Sequence, residues 1–138
     1  MVDSQSYEIP SDYQYTRDHE WIRATATSFL VGITDYAAKM LNDIVYVNLP
    51  KEGVILKQKD VYGQVESVKT VSDMYMPVSG KIIKTNSKLM QTPELVSNSP
   101  YADGWMLEIQ SESFSMESKD LLDAKSYEKY ITKLQETD

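Results

Sequence analysis

Between Val61 and Gly80 the chain reads as two β arms folded back on one lysine. Val61, Gly63 and Val65 lead in, Tyr75, Pro77, Val78 and Gly80 lead out, and Val68 and Val71 bracket Lys69 where the chain must reverse. β-Branched side chains fit a pleated surface and are stiff in a helix, so the arms are strands and Lys69 sits at a hairpin tip. A lysine in that place is accessible, and an enzyme can acylate it without unfolding anything. The plainer reading is a solvated charge, the usual state of a surface lysine.

The other segments are short and mostly of the same kind. Residues 21–25 and 28–33 have strand character. Thr34 offers a helix N-cap, with Asp35 in the first turn facing the positive end of the helix dipole. A short helix from Asp35 to Leu41 should stop at Asn42, one of the few residues besides glycine that tolerates the left-handed cap conformation. Residues 44–47 are a β run ending at Pro50, residues 51–53 a turn, and residues 54–56 the approach to the hairpin. Residues 81–86 alternate as a half-buried strand does. Thr92, Pro93 and Glu94 supply a cap, an N1 proline and a first-turn acid for a short helix ending near Asn98, before Pro100. Residues 105–109 read as the closing strand.

In the tail, Tyr127, Tyr130, Ile131 and Leu134 fall on one helical face, with Glu128, Lys129, Lys133 and Gln135 opposite. A single apolar stripe needs only its own domain to cover it, so this is a packed surface helix. Short strands with glycine and proline turns, and few helices, predict a mainly β domain, a compact sandwich or barrel. Residues 1–12 are polar and expected to form a flexible N-terminal segment, with 13–138 as one domain.

At 138 residues the chain is long enough to remove roughly 68 per cent of its unfolded surface from water. It has no cysteine, which excludes disulfides, thiolate metal sites and a cysteine nucleophile. Any disulfide chemistry would have to come from an attached group. With 14 Lys and Arg against 21 Asp and Glu, the formal charge of -7 makes nucleic acid and anionic membrane surfaces poor partners and favours a partner with a basic rim. No apolar run approaches the length of a membrane span. The first eight residues carry neither a signal-peptide core nor an arginine-rich amphipathic pattern. A cytoplasmic protein is the simplest case, although a processed mitochondrial form would keep no trace of its transit peptide.

Few residues offer enzyme chemistry. His19, the one histidine, lies beside Trp21 at a strand start, where packing or hydrogen bonding is its ordinary role. No serine or acid can be named as its triad partner. Glu66 and Asp73 flank the tip as solvated acids with no buried pocket in which to act as an acid–base pair. The five glycines are scattered and form no phosphate-binding loop. Met74 and Met76 suit adaptable packing better than a metal site. A catalytic role is therefore not expected.

One resemblance covers residues 12–134. Gly63, Glu66-Ser67-Val68-Lys69, Ser72-Asp73 and Pro77-Val78-Ser79-Gly80 are similar to the lipoyl-attachment hairpin of glycine cleavage system H proteins. The likeness continues, in the family's order, at residues 15–21, 31–37, 43–50 and 93–101, at Gly104-Trp105 and at residues 121–124. It implies the barrel-sandwich hybrid fold of lipoyl carriers, with short helices and a C-terminal helix. It implies lipoate, covalently attached to Lys69, with Glu66 and Gly80 helping the lipoylating enzyme select that lysine. It implies a non-catalytic carrier in glycine catabolism and one-carbon metabolism. Glycine decarboxylase (P protein) would load an aminomethyl group. Aminomethyltransferase (T protein) would pass the one-carbon unit to tetrahydrofolate, and dihydrolipoamide dehydrogenase (L protein) would reoxidise the dithiol. A lipoate ligase or lipoyl transferase would install the group.

Two other roles are open to such a chain: an H-like relay passing lipoate to other lipoyl domains, or an unmodified adaptor of the same fold. Biotin carriers place methionine on both sides of their lysine, whereas Lys69 has Val68 and Thr70. The sequence also departs from the family. Asn42 stands where glycine is usual, Lys81 and Lys84 where acids are common, and Met76 where a small residue is common.

Overall fold

The computed structural model describes residues 6–136. Among the described residues nine strands form two sheets: β1 (Gln14–Tyr15), β2 (Glu20–Ala24), β3 (Phe29–Ile33), β4 (Ile44–Asn48), β5 (Ile55–Leu56), β6 (Val61–Ser67), β7 (Val71–Tyr75), β8 (Gly80–Thr85) and β9 (Leu107–Gln110). The first sheet has six strands in the order β1-β2-β3-β9-β8-β5, and the second has three in the order β4-β6-β7. All pairings are antiparallel. Neither sheet closes on itself. This is the mainly β sandwich-type architecture expected, with open edges.

The sheets meet over a core to which both contribute. Ile22, Val31, Ile33, Ile82, Leu107 and Ile109 come from the larger sheet; Val47, Tyr62, Val65 and Met74 come from the smaller. Met76, whose bulk stands out beside the family pattern, fills this core at 1% exposure. A second cluster of Tyr15, Trp21, Tyr36, Tyr101, Tyr127 and Ile131 lies under the C-terminal helix. Neighbouring β2 residues feed both clusters, Ile22 the first and Trp21 the second, so this strand is covered on both faces.

The helices are short: α1 (Asp35–Leu41), α2 (Lys88–Gln91), α3 (Leu95–Asn98), α4 (Phe114–Glu117) and α5 (Ala124–Glu136). Thr34 caps α1 as expected, its hydroxyl accepting the Ala37 N–H. Tyr127 and Ile131 are buried on α5, and the Tyr127 ring stacks on Tyr15 with centroids 4.8 Å apart. At α3 the Thr92 carbonyl, not its hydroxyl, takes the first N–H, from Leu95, and Glu94 occupies the N-cap. Residues 81–85 do lie in a strand, β8, with Asn86 just beyond its end, and a register shift between Ile82 and Lys84 interrupts the strict alternation.

Asn42 ends α1 at φ 57 and ψ 172. The positive φ was expected; the extended ψ was not. Asparagine's tolerance of the compact left-handed region does not extend to this one, which is essentially glycine territory. Asparagine here is therefore a costlier departure from the family's glycine than the sequence suggests.

Of the expected flexible segment, residues 1–5 lie outside the described residues. Beyond them, the Glu8 N–H donates to Asp35 and the Tyr101 hydroxyl donates to the Glu8 carbonyl. The Tyr15 hydroxyl donates to the Pro10 carbonyl, and the Tyr7 ring meets Tyr36 edge-on at 5.0 Å.

Candidate functional site

β6 and β7 pair antiparallel, with Glu66 opposite Val71, Val65 opposite Ser72 and Gln64 opposite Asp73. Three residues, Val68, Lys69 and Thr70, close the tip, and all three are exposed. Ser67 organises the turn. Its N–H donates to the Thr70 carbonyl at 2.8 Å, and its hydroxyl oxygen accepts the Lys69 N–H at 3.3 Å and the Thr70 N–H at 3.2 Å. The Val68 N–H donates to the Asp43 carbonyl at 3.1 Å, which fastens the tip to the loop before β4. Every N–H of the tip thus has a partner inside the protein, so the turn presents its lysine from a fixed backbone. Among the described residues the Lys69 ammonium makes no hydrogen bond or ion pair, and it projects into solvent.

Glu66 lies half-buried on the outer face of the smaller sheet, in a cross-strand row with Tyr46 on one side and Val71 on the other. Asp73 falls in the next row, where its carboxylate accepts from the Gln64 amide at 3.1 Å. The two acids are therefore diagonal neighbours on one face. Gly80 is in the other sheet, paired with Leu56 and close to Gln110. A Cβ there would stand 2.6 Å from the Gln110 carbonyl oxygen, so packing alone requires glycine.

Beneath the hairpin's outgoing arm lies a residue that sequence reasoning missed. Glu20 is 1% exposed; one carboxyl oxygen accepts the Tyr75 N–H at 2.8 Å and the other accepts the Thr16 hydroxyl at 3.0 Å. Burial pushes its pKa up to about 8, against the opposing pull of those two hydrogen bonds. An acid at the first position of a strand carries no local mark of this burial. His19 is a structural residue, as expected. Its Nδ1 lies 2.9 Å from the Tyr127 hydroxyl, which also bonds Thr34 at 2.7 Å, and burial holds the imidazole pKa below its ordinary value.

A cleft of about 590 Å³ is lined by residues including Thr16, Asp18, Lys59, Met76 and Leu122. Met76 is seven residues beyond Lys69, roughly 20 Å along an extended strand, so the cleft does not adjoin the tip.

The fold and the hairpin together define a class: a mainly β domain of two sheets that offers a lysine outward on a braced turn instead of enclosing it in a pocket. The family model of the glycine cleavage H-protein matches residues 13–134, and the chain belongs to that family. It is similar to the glycine cleavage system H protein of Symbiobacterium thermophilum, with 46% identity over 122 residues covering 88% of this chain and 94% of the relative. It is also similar to the probable glycine cleavage system H protein of Pyrococcus furiosus, with 42% identity over 135 residues covering 97% of this chain and all of the relative. The crystal structure of a glycine cleavage system H protein from Mycobacterium marinum superposes with a TM-score of 0.79 at 36% identity, covering 92% of this chain and 99% of that one.

Proposed function

We propose that this chain is the lipoyl-bearing carrier subunit of the glycine cleavage system and that Lys69 bears the group. The observation that carries the reading is the tip itself: an exposed lysine with an unpaired ammonium, held on a turn whose N–H groups are all bonded internally. Acylation there needs no unfolding and removes one charge from a residue that has no ion pair among the described residues. A lipoyl group attached to Lys69 supplies the redox-active, nucleophilic sulfur that a cysteine-free chain lacks. The rigid hairpin then holds the attachment point in place, and tethering replaces diffusion between partner enzymes with a high effective concentration.

In this reading the chain performs no catalysis. Its partners are glycine decarboxylase, aminomethyltransferase, dihydrolipoamide dehydrogenase and a lipoate ligase or lipoyl transferase, and it works in the cytoplasm. No helix among the described residues is long and apolar enough to cross a membrane. Glu66 guides the lipoylating enzyme by contact, from its place three residues before Lys69 on the open sheet face. Gly80 serves lipoylation only through the fold: it lets β8 lie close against β9 and so maintains the amount of folded acceptor. Membership of the H-protein family favours this role over the relay and adaptor readings.

The test is intact and peptide mass spectrometry after incubation with a lipoate ligase, lipoate and ATP. One lipoyl group on Lys69 is expected, followed by glycine-dependent bicarbonate exchange with glycine decarboxylase. Lys69→Arg should fold normally and carry nothing; glycine-dependent turnover retained by that variant would overturn the assignment.

A further inference from the structure

β4 contains an irregularity at the point nearest Lys69. Ile44 is opposite Ser67 and Tyr46 is opposite Glu66, so β4 advances two residues while β6 retreats one, and Val45 is the extra residue of a bulge. Bulges re-aim side chains, and here the result is two consecutive apolar residues facing solvent: Val45 is 54% exposed and Tyr46 42%. Val68, 75% exposed, and Val71, 56% exposed, stand on the hairpin beside them. The bond from the Val68 N–H to the Asp43 carbonyl holds the two strands' ends together at this place.

Single exposed apolar residues are ordinary. These four instead gather at the tip end of the smaller sheet, Val68 and Val71 on the hairpin that bears the lysine, and Glu66 lies in the row between Tyr46 and Val71. Asp43 is exposed at the edge and Asp73 in the following row. An apolar centre with acids in and around it is complementary to a partner that offers an apolar pocket and basic side chains.

We propose that this face of the smaller sheet, with Tyr46 as its apolar anchor, is the docking surface for the enzyme that acylates Lys69. The inference rests on the carrier reading. Reach selects the occupant. The acylating enzyme must bring its acyl carbon to within bonding distance of Nζ, which stands only a four-carbon stem from the backbone, so it must press on the residues around the tip. Enzymes that work at the far end of an attached arm have no such need. The chemistry is a simple acyl transfer. The Lys69 ammonium loses a proton and neutral Nζ attacks the carbonyl carbon of an acyl adenylate. The N–C bond forms, the carbon–oxygen bond to phosphate breaks with AMP leaving, and the second Nζ proton passes to a base or to water. A contact at Tyr46 acts on binding of the protein acceptor and not on these bonds, so its loss falls on KM.

The test uses the full chain, a lipoate ligase, lipoate and ATP. Tyr46→Ala should raise KM for the protein about tenfold with kcat little changed, the loss typical of a modest interface anchor. Val71→Ser should act in the same direction, while Tyr46→Phe and Ile55→Ala, the latter on exposed β5 of the other sheet, should match the unmodified sequence. Binding is read separately by using Lys69→Arg as a competitive inhibitor, whose potency should fall by the same factor when Tyr46→Ala is added. An unchanged KM for Tyr46→Ala, or equal inhibition by the single and double variants, would overturn the docking surface. If the unaltered chain is not acylated at Lys69 by a ligase active on a related H protein, the carrier reading itself fails and this inference fails with it.

Discussion

Glu20 accepts the Tyr75 N–H at 2.8 Å from a side chain that is 1% exposed, so a buried carboxyl group fastens the foot of the lysine-bearing hairpin to β2. Burial raises its pKa from 4.5 to about 8. Between those values the folded chain keeps a proton that the unfolded chain releases. Stability contributed by this group is therefore fullest below pH 4.5 and is lost as pH rises through about 8. Full ionisation of the buried acid costs on the order of 5 kcal/mol. Glu20→Gln keeps an oxygen for Tyr75 and removes the titration. It should match the unaltered protein near pH 4, already exceed its stability at about pH 6 and exceed it most at about pH 9, as urea melts at the three values will show. Parallel pH dependence in both proteins would mean that Glu20 does not hold the proton.

Asn42→Gly should stabilise the fold. The present backbone, φ 57 and ψ 172, costs a side-chain-bearing residue about 1–3 kcal/mol, while glycine adopts it freely. Glycine returns part of that gain through the greater entropy of its unfolded chain, leaving a net of about 1 kcal/mol. Thermal unfolding should shift upward by roughly 4 °C. The Asn42 N–H bond to the Ala38 carbonyl is backbone and survives the change.

What the sequence revealed was local, and what it hid depended on distant partners. Thr34 could be read as a cap because its hydroxyl serves an N–H three residues on. The hairpin could be read because its arms flank their own turn, and α5 because its stripe repeats within a few turns. Glu20 could not: its burial is completed by Tyr75, 55 residues away, and an acid at a strand start looks solvated. Val45 gave no sign of a bulge, since the register shift exists only in the pairing with β6. Asn42 had the right residue type for a positive φ, but its ψ depends on where the chain must go to enter β4. Gly80 stood out through resemblance, yet its physical reason is the carbonyl of Gln110 on a strand 30 positions later.

Ser67→Ala separates rigidity of the tip from stability of the fold. The hydroxyl oxygen serves both the Lys69 and Thr70 N–H groups, and both of those residues are exposed, so water can replace much of what is lost. A global loss of only about 1 kcal/mol is expected. The local effect should be larger: amide exchange at Lys69 and Thr70 should accelerate well beyond the change in global stability. Hydrogen exchange followed by NMR checks this residue by residue. If the two amides exchange no faster relative to the core, Ser67 is not what holds the turn.

Gly80→Ala should behave in the opposite way, losing stability while leaving the tip alone. The added Cβ meets a backbone carbonyl oxygen at 2.6 Å and the Ile109 side chain at 3.3 Å, so β8 must shift against β9. Overpacking of this kind costs about 1–3 kcal/mol, enough to lower the urea midpoint clearly. The lysine hairpin belongs to the other sheet and keeps its own pairing. Acylation of Lys69, measured per folded molecule well below the melting range, should therefore stay near that of the unaltered chain. Glu66→Gln should show the reverse pattern, with an unchanged urea midpoint and slower acylation. A Gly80→Ala protein that is fully folded yet poorly acylated would instead place Gly80 in direct contact with the modifying enzyme.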